Sequence, residues 1–423
     1  MKKVMLKTTL SLAVTVASTQ IFAAGFAINE HSISGMGTGY AGRSSSADDA
    51  STVYGNPAGM SRLTREQVTG GVAFLDAKTD ISDASSSPNG GSNKGDMVPF
   101  TSVPMGYYVK PIDEHWAFGL GVYVPFGLIT DYENGFAGRY FGSKSEVKII
   151  TFQPTVSYKF NDVVSIGFGP TINRIDGSLE SNLSITQAAP DGKVKIKGDD
   201  TALGYNIGVL VQATDSTRLG LTYHSKVDYK LDGNTKVNYG VLGAIGLGAN
   251  QKYDASLKIT TPESVDLSVT QAINDRWNVY AGTTWTRWSQ LEKITVKNSG
   301  VQPLLAGQFG EITEEQNWHD TWAYAIGTSY QLNKEWVLRT GLTFDQSPTN
   351  NVDRSPRIPT GDRTIFSIGA GWSPTEDLTI DVAYSYLKEE KVNIRNENDR
   401  GQSYNSQYEN SANGFGVGAT YRF

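Results

Sequence analysis

The chain has no cysteine among its 423 residues. That excludes disulfides, thiolate metal ligands and thiol nucleophiles. Histidine is almost as scarce: His31, His115, His224 and His319 are the full set, and no two stand at the i, i+4 spacing of a helical metal pair. The G-x-S-x-G nucleophile elbow is missing as well. An enzyme is therefore not expected, nor is a metal or a cofactor. Lys and Arg total 37 against 43 Asp and Glu, a net charge of −6 that speaks against a nucleic-acid partner. After the first two dozen residues, no apolar run approaches the roughly 18 needed for a membrane helix.

The N-terminus reads as a targeting signal over residues 1–23. Lys2, Lys3 and Lys7 form a basic start, Thr8 to Ala17 is a short apolar stretch, and a small-residue cleavage site follows, with the cut expected after Ala23. Residues 24–65 come next, rich in Gly, Ser and Ala, with neither helical nor strand periodicity. Gly37-Thr38-Gly39-Tyr40-Ala41-Gly42 matches a dinucleotide fingerprint, but it follows no buried strand and opens no convincing helix, so that reading fails. These glycines suit a segment folded tightly in a confined space. Asp48 and Asp49 are adjacent and point apart, which favours a solvated or hydrogen-bonded pair over a cation site.

Aromatics and glycine are abundant: 21 Tyr, 16 Phe, 8 Trp and 45 Gly. Period-2 alternation is explicit at the C-terminus, where Phe415, Val417, Ala419, Tyr421 and Phe423 alternate with Gly414, Gly416, Gly418, Thr420 and Arg422. It recurs from Leu219 and from Trp336. Such strands are half-exposed to something apolar. Short polar links at Pro111–Glu114, Asn161-Asp162, Thr214-Asp215, Asn274-Asp275, Asn333-Lys334 and Pro374–Glu376 alternate with longer ones near 80–99, 128–145, 179–201, 232–252, 298–316, 347–361 and 396–410. Six short and seven long links join fourteen strands. Short turns at one end and long loops at the other form the bacterial outer-membrane pattern. The fold class is all-β: a fourteen-stranded antiparallel transmembrane β-barrel over residues 66–423, with 24–65 as an N-terminal lumen plug. Pro262 is expected to interrupt one strand. Phe423 is similar to the terminal aromatic signal read by the barrel-assembly machinery.

Three features point to apolar cargo. At Val122-Tyr123-Val124-Pro125-Phe126-Gly127, Pro125 has no N–H for the ladder and Gly127 permits a bulge. Either the third strand ends there, or it kinks and opens the wall. Residues 240–249 carry Val241, Leu242, Ile245 and Leu247 in an outer loop, and Leu304, Leu305 and Phe309 lie in the next. They form either a ligand groove or a core between loops. Finally, a plugged lumen argues against an open diffusion pore.

At Asn56-Pro57-Ala58 the chain resembles the FadL family of outer-membrane transporters for long-chain fatty acids and other hydrophobic compounds. The likeness covers essentially the whole chain after the signal. It includes AGFAINE at 24–30, Ala47-Asp48-Asp49-Ala50, Trp288-Ser289-Gln290 as a strand motif, and the run from Trp336 to Asp345 followed by Ser347-Pro348, Ile358-Pro359 and Asp362-Arg363. The resemblance implies a monomeric barrel in contact with outer-membrane lipids. It implies ligand capture in a groove of the loops 179–201 and 232–252, then a lumen pocket latched by Gly25 and Phe26. Sideways exit follows, through a gap at Pro125, Phe126 and Gly127. Arg174 is the nearest basic residue in register for a carboxylate, and Arg339 and Arg363 are compatible with the lumen. The family also includes carriers of aromatic hydrocarbons. A polar-solute porin and a surface adhesin are the readings from other classes.

Overall fold

The computed structural model describes residues 25–87, 90–184, 191–239, 250–398 and 400–423. Among these, fourteen antiparallel strands close into one barrel. They are β1 (Gln67–Ser87), β2 (Thr101–Pro111), β3 (Trp116–Asp131), β4 (Lys144–Lys159), β5 (Val164–Leu183) and β6 (Gly192–Gln212). Next come β7 (Thr217–His224 continued by Val227–Asn238), β8 (Asn250–Thr261 and Ser264–Asn274), β9 (Trp277–Thr286 and Lys293–Ser299) and β10 (Glu311–Glu315 and Thr321–Gln331). The last are β11 (Trp336–Asp345), β12 (Arg363–Trp372), β13 (Leu378–Glu389 and Val392–Glu397) and β14 (Ser403–Arg422). β14 pairs with β1 from Gln67–Arg422 upward, so the sheet has no free edge at that seam.

The short turns sit where the sequence places them, and their chemistry is local. Asp113, Asn161, Asn274 and Asn333 each turn a side-chain oxygen back onto the N–H groups two and three residues ahead. Pro262 does interrupt β8, without changing the strand count. The long links are shorter than expected. Leu179–Leu183 pairs with Gly192–Ile196, and Lys193–Asp199 pairs with Asp232–Asn238, so much of 179–201 and 232–252 is strand.

The side-chain alternation changes phase along β4 to β8. In the lower half, Phe168, Ile172, Leu203, Ile207, Leu221 and Leu267 are exposed, facing lipid. Thr151, Gln153, Asn173, Asn206, Thr222 and Ser268 face inward and are buried. In the upper half the pattern inverts: Val147, Ile175, Leu231 and Ile259 point inward, and Lys148, Asp176, Lys230 and Lys258 point outward. Water surrounds this upper rim, so charge is favoured outside and apolar surface gathers inside.

Residues 25–66 lie against the inner wall. They carry two short helices, α1 (Ile33–Gly37) and α2 (Thr52–Gly55), and a 3₁₀ turn at Pro57–Arg62. Little of this segment is regular, so its backbone needs partners from the wall. Gln153 Nε2 donates to the Val53 carbonyl (2.8 Å), Thr222 Oγ1 to Gly55 (2.7 Å), Thr343 Oγ1 to Gly39 (2.7 Å) and Ser165 Oγ to Ala58 (3.1 Å). Ser44 Oγ donates to Asp266 at 2.5 Å. At Gly341 a Cβ would run into the Thr38 carbonyl, so only glycine permits that approach.

Asn56 joins the hatch to itself and to the wall. Its Oδ1 accepts from the Ala58 N–H (3.0 Å), while Nδ2 donates to the carbonyls of Ser44 (2.7 Å) and Val209 (2.9 Å). Pro57 follows at the first position of the turn, where no N–H is needed. Asn56→Ala leaves these buried groups unpaired, at a cost of about 2 to 4 kcal/mol to hatch docking. Amide hydrogen exchange across 40–60 is expected to accelerate while β11–β14 stay protected. Unchanged exchange in the hatch would refute the anchoring role.

Candidate functional site

β3 does not end at Pro125. It runs on to Asp131, with a bulge against β4 between Tyr123 and Phe126. The pairing of β2 with β3 stops at Gly106–Val122. Thr101 to Met105 stay with β1, while Tyr123 to Asp131 keep only β4 in the ladder. Pro125 is thus the point where two neighbouring strands part.

The N-terminal segment takes up the vacated side of β3. Ile28 donates its N–H to the Pro125 carbonyl (2.9 Å) and Gly127 donates to the Phe26 carbonyl (2.8 Å), around a bridge between Ala27 and Phe126. One turn further, His31 Nε2 lies 3.1 Å from the Val124 carbonyl. A carbonyl can only accept, so Nε2 carries the proton. Burial, reinforced by Arg43, holds the imidazole well below its usual range, while burial raises the neighbouring Glu30 carboxyl.

Phe26 is 4% exposed and sits in an aromatic cage. Its ring is 5.1 Å from Trp288, 5.7 Å from Phe126 and 6.1 Å from Trp318. Gly25 precedes it with φ 66°, and a Cβ there would collide with both tryptophans. Trp288-Ser289-Gln290 is not strand, as expected from the sequence, but a 3₁₀ turn between the two halves of β9, and it is this turn that drives Trp288 inward.

The cage divides two cavities. The upper spans about 850 Å³ with its open mouth included and is lined by Phe26, Val147, Ile175, Leu231, Ile259 and Ile294, among other apolar groups. Room for it comes from a rung without side chains: Gly177, Gly198 and Gly233 are direct partners across β5, β6 and β7. Its rim is polar. Arg357 donates Nε to Glu314 (3.1 Å) and Nη1 to Ser145 Oγ (3.0 Å) and the Glu180 carbonyl (3.1 Å). The lower cavity, about 1090 Å³ with its open parts included, is bounded above by Phe126 and Trp288 and lined by Arg43, His224, Asp266, Asp345 and Arg363. Arg363 pairs with Asp345 at 2.5 Å, and Arg339 with Asp381 at 2.6 Å.

The structure brings Gly25, Phe26, Pro125, Phe126 and Gly127 together, and puts Asn56, Pro57 and Ala58 at the hatch–wall contact. It does not bring Arg174 to them. Arg174 shares the outward face of β5 with Phe168 and Ile172, and is engaged by Asp199 (2.8 Å) and Asp176 (3.3 Å). Val241, Leu242, Ile245 and Leu247 lie outside the described residues. Leu305 and Phe309 are buried with Leu183, Val194, Val237 and Tyr253, a core between loops and strand ends. Sequence reasoning missed Trp318, Arg357 and the glycine rung. The rung had a signal: glycine at inward positions of three successive strands.

A closed barrel with a filled lumen, an apolar cavity above and a wall strand bulged at proline defines an outer-membrane transport protein. The model of the outer membrane protein transport protein family (OMPP1/FadL/TodX) matches residues 14–423, and the chain belongs to that family. It is 31% identical over 453 residues to a long-chain fatty acid transport protein of Escherichia coli O6:H1, covering 100% of this chain and 99% of the relative. Outer membrane protein P1 of Haemophilus influenzae is 28% identical, covering 91% and 90% of the two chains. The crystal structure of a Pseudomonas aeruginosa FadL homologue superposes with a TM-score of 0.84 at 28% identity, over 95% of this chain and 100% of that one. The Pseudomonas putida toluene transporter TodX shares the fold, with a TM-score of 0.68 at 19% identity, over 95% and 100% of the two chains.

Gly177→Leu fills the upper cavity, since a Cβ there meets Leu231 and the Gly198 carbonyl at no less than ordinary contact distance. Titration with a fluorescent acyl probe is expected to show about tenfold weaker binding, the equivalent of losing about two buried methylenes. Unchanged affinity in a correctly folded barrel would show that acyl chains bind elsewhere.

Proposed function

We propose that this protein moves long-chain fatty acids passively across the outer membrane, through the upper cavity and then sideways between β2 and β3. One observation carries the reading. The residue that floors the apolar cavity, Phe26, is held by backbone bonds to β3 at the point where β2 has left it. A ligand that displaces Phe26 therefore also removes the segment that seals the wall. The upper cavity is walled mainly by apolar side chains with a few polar groups at its rim, the make-up of small-molecule sites. Burying an acyl chain there contributes about 0.8 kcal/mol per methylene. Arg357 at the rim is paired with Glu314, so a ligand carboxylate is received there by exchange for that partner. Straight descent meets charged groups and the hatch, whereas sideways exit leaves the chain in hydrocarbon throughout. The name of the Escherichia coli relative supports the cargo.

Two variants test this. Ala27 and Phe126 are directly opposed and flanked by hydrogen bonds rather than joined by them, the closer kind of antiparallel pair at about 4.5 Å between Cα atoms. That spacing accepts a disulfide. With no native cysteine, Ala27→Cys with Phe126→Cys forms one defined staple. Labelled oleate uptake by cells lacking their own transporter is expected to stop in the oxidised form and return with reductant. Continued uptake through the stapled protein rejects the latch and the wall gap together. Phe26→Ala joins the two cavities and is expected to weaken acyl-probe binding about tenfold or more. If wild type takes up toluene but no oleate, the cargo is an aromatic hydrocarbon instead.

A further inference from the structure

The outer wall above the lipid band carries an arrangement of charge that transport does not use. Lys195 of β6 is the direct partner of Lys236 of β7, and Lys236 is the direct partner of Lys252 of β8. Three lysines thus stand side by side on adjacent strands, with Lys193 and Lys197 two residues to either side on β6. Lys236 and Lys252 are exposed. Glu180 is bonded to Lys193 and Lys195, but among the described residues neither Lys236 nor Lys252 has a carboxylate partner. Lower on the same wall, Lys230 and Lys258 form a second directly opposed pair.

Like charges directly opposite destabilise a ladder, with side chains starting about 5 Å apart. That is inside the Debye length of about 8 Å, so salt does not remove the repulsion. An anion between the lysines turns the repulsion into attraction. Height above the lipid says which anion. Leu203, 74% exposed, is the last apolar residue on the outward face of β6. The lower pair lies near its level, since the Lys230 N–H donates to Asp200, three residues beyond Leu203. The upper rung begins at Lys195, eight residues beyond Leu203, about 26 Å along the strand. Three acids stand between the tiers on the same face: Asp199, which binds Arg174, and Asp232 and Asp254, so the lysines form two separate basic tiers with an acidic band between them.

We propose that the outer wall of β6–β8 seats the phosphorylated saccharide of an outer-leaflet glycolipid, with Lys230 and Lys258 at its headgroup phosphates and Lys195, Lys236 and Lys252 at anionic groups of its core sugars. Two tiers at different heights fit one extended polyanion anchored in the adjacent leaflet. They do not fit a phospholipid, which carries no charge so far above the membrane. This site is independent of the route taken by the cargo.

The test uses the full-length protein in detergent with three probes: phosphorylated rough lipopolysaccharide, the same material dephosphorylated, and lipid A without core sugar. Wild type is expected to retain the phosphorylated form best, scored by native mass spectrometry. Lys236→Gln with Lys252→Gln is expected to weaken that binding about 30-fold, the equivalent of about 2 kcal/mol. Lys78→Gln, an exposed lysine on the outward face of β1, is expected to change nothing. Heat-modifiable gel migration verifies that each variant is folded. A folded double variant that binds as wild type does overturns the site, and so does wild type that holds the dephosphorylated form or lipid A as tightly as the phosphorylated core.

Discussion

Within hydrocarbon no water is available to pair an exposed N–H or carbonyl, and each unpaired group costs several kcal/mol. Most of this architecture follows from that constraint. β14 closes on β1, so no edge is left at that seam. Where the hatch abandons regular structure, inward Gln, Thr and Ser side chains supply what a ladder would have supplied. Pro125 is the exception, because it has no N–H to give. β2 departs nearby, and the N-terminal segment pairs with β3 in its stead. The seal of the wall and the floor of the cavity are therefore the same few residues.

A second consequence concerns polarity. Along β4 to β8 one strand serves two environments, and its alternation inverts between them. Beside lipid the polar residues point inward and hold the hatch. Above lipid the apolar residues point inward and enclose a cavity. Stacked on one another, these halves give an apolar chamber over a charged one, divided by Phe26, Phe126 and Trp288. On the proposed route that difference, about 0.8 kcal/mol for every methylene exposed, favours sideways exit of an acyl chain over descent into the lower chamber.

The same inversion explains what sequence reading misjudged. Arg174 was expected near the ligand, yet it shares its parity on β5 with Phe168 and Ile172, which face lipid. The parity was readable. What hid it was the change of phase just above, where Ile175 turns inward and a charged residue on the outer face becomes ordinary. The extent of β5, β6 and β7 was likewise underestimated, because Lys- and Asp-rich strand above the membrane has the composition of a loop. The family resemblance placed Trp288-Ser289-Gln290 in a strand, but a 3₁₀ turn there changes the direction of the side chain.

Strand number, turn positions, the closed all-β architecture and the special character of Pro125 were all set by the sequence itself. They rest on period-2 patterning, on Asx turns and on a missing N–H, each local to a few residues. The meeting of Phe26 with Gly127, of Trp288 with Trp318, and of Gly177, Gly198 and Gly233 in one rung was decided only by the tertiary structure. Those contacts join residues far apart in the chain, and they depend on the register of strands around a closed barrel. Pattern within a strand fixes which face a residue occupies, but only closure decides what stands opposite.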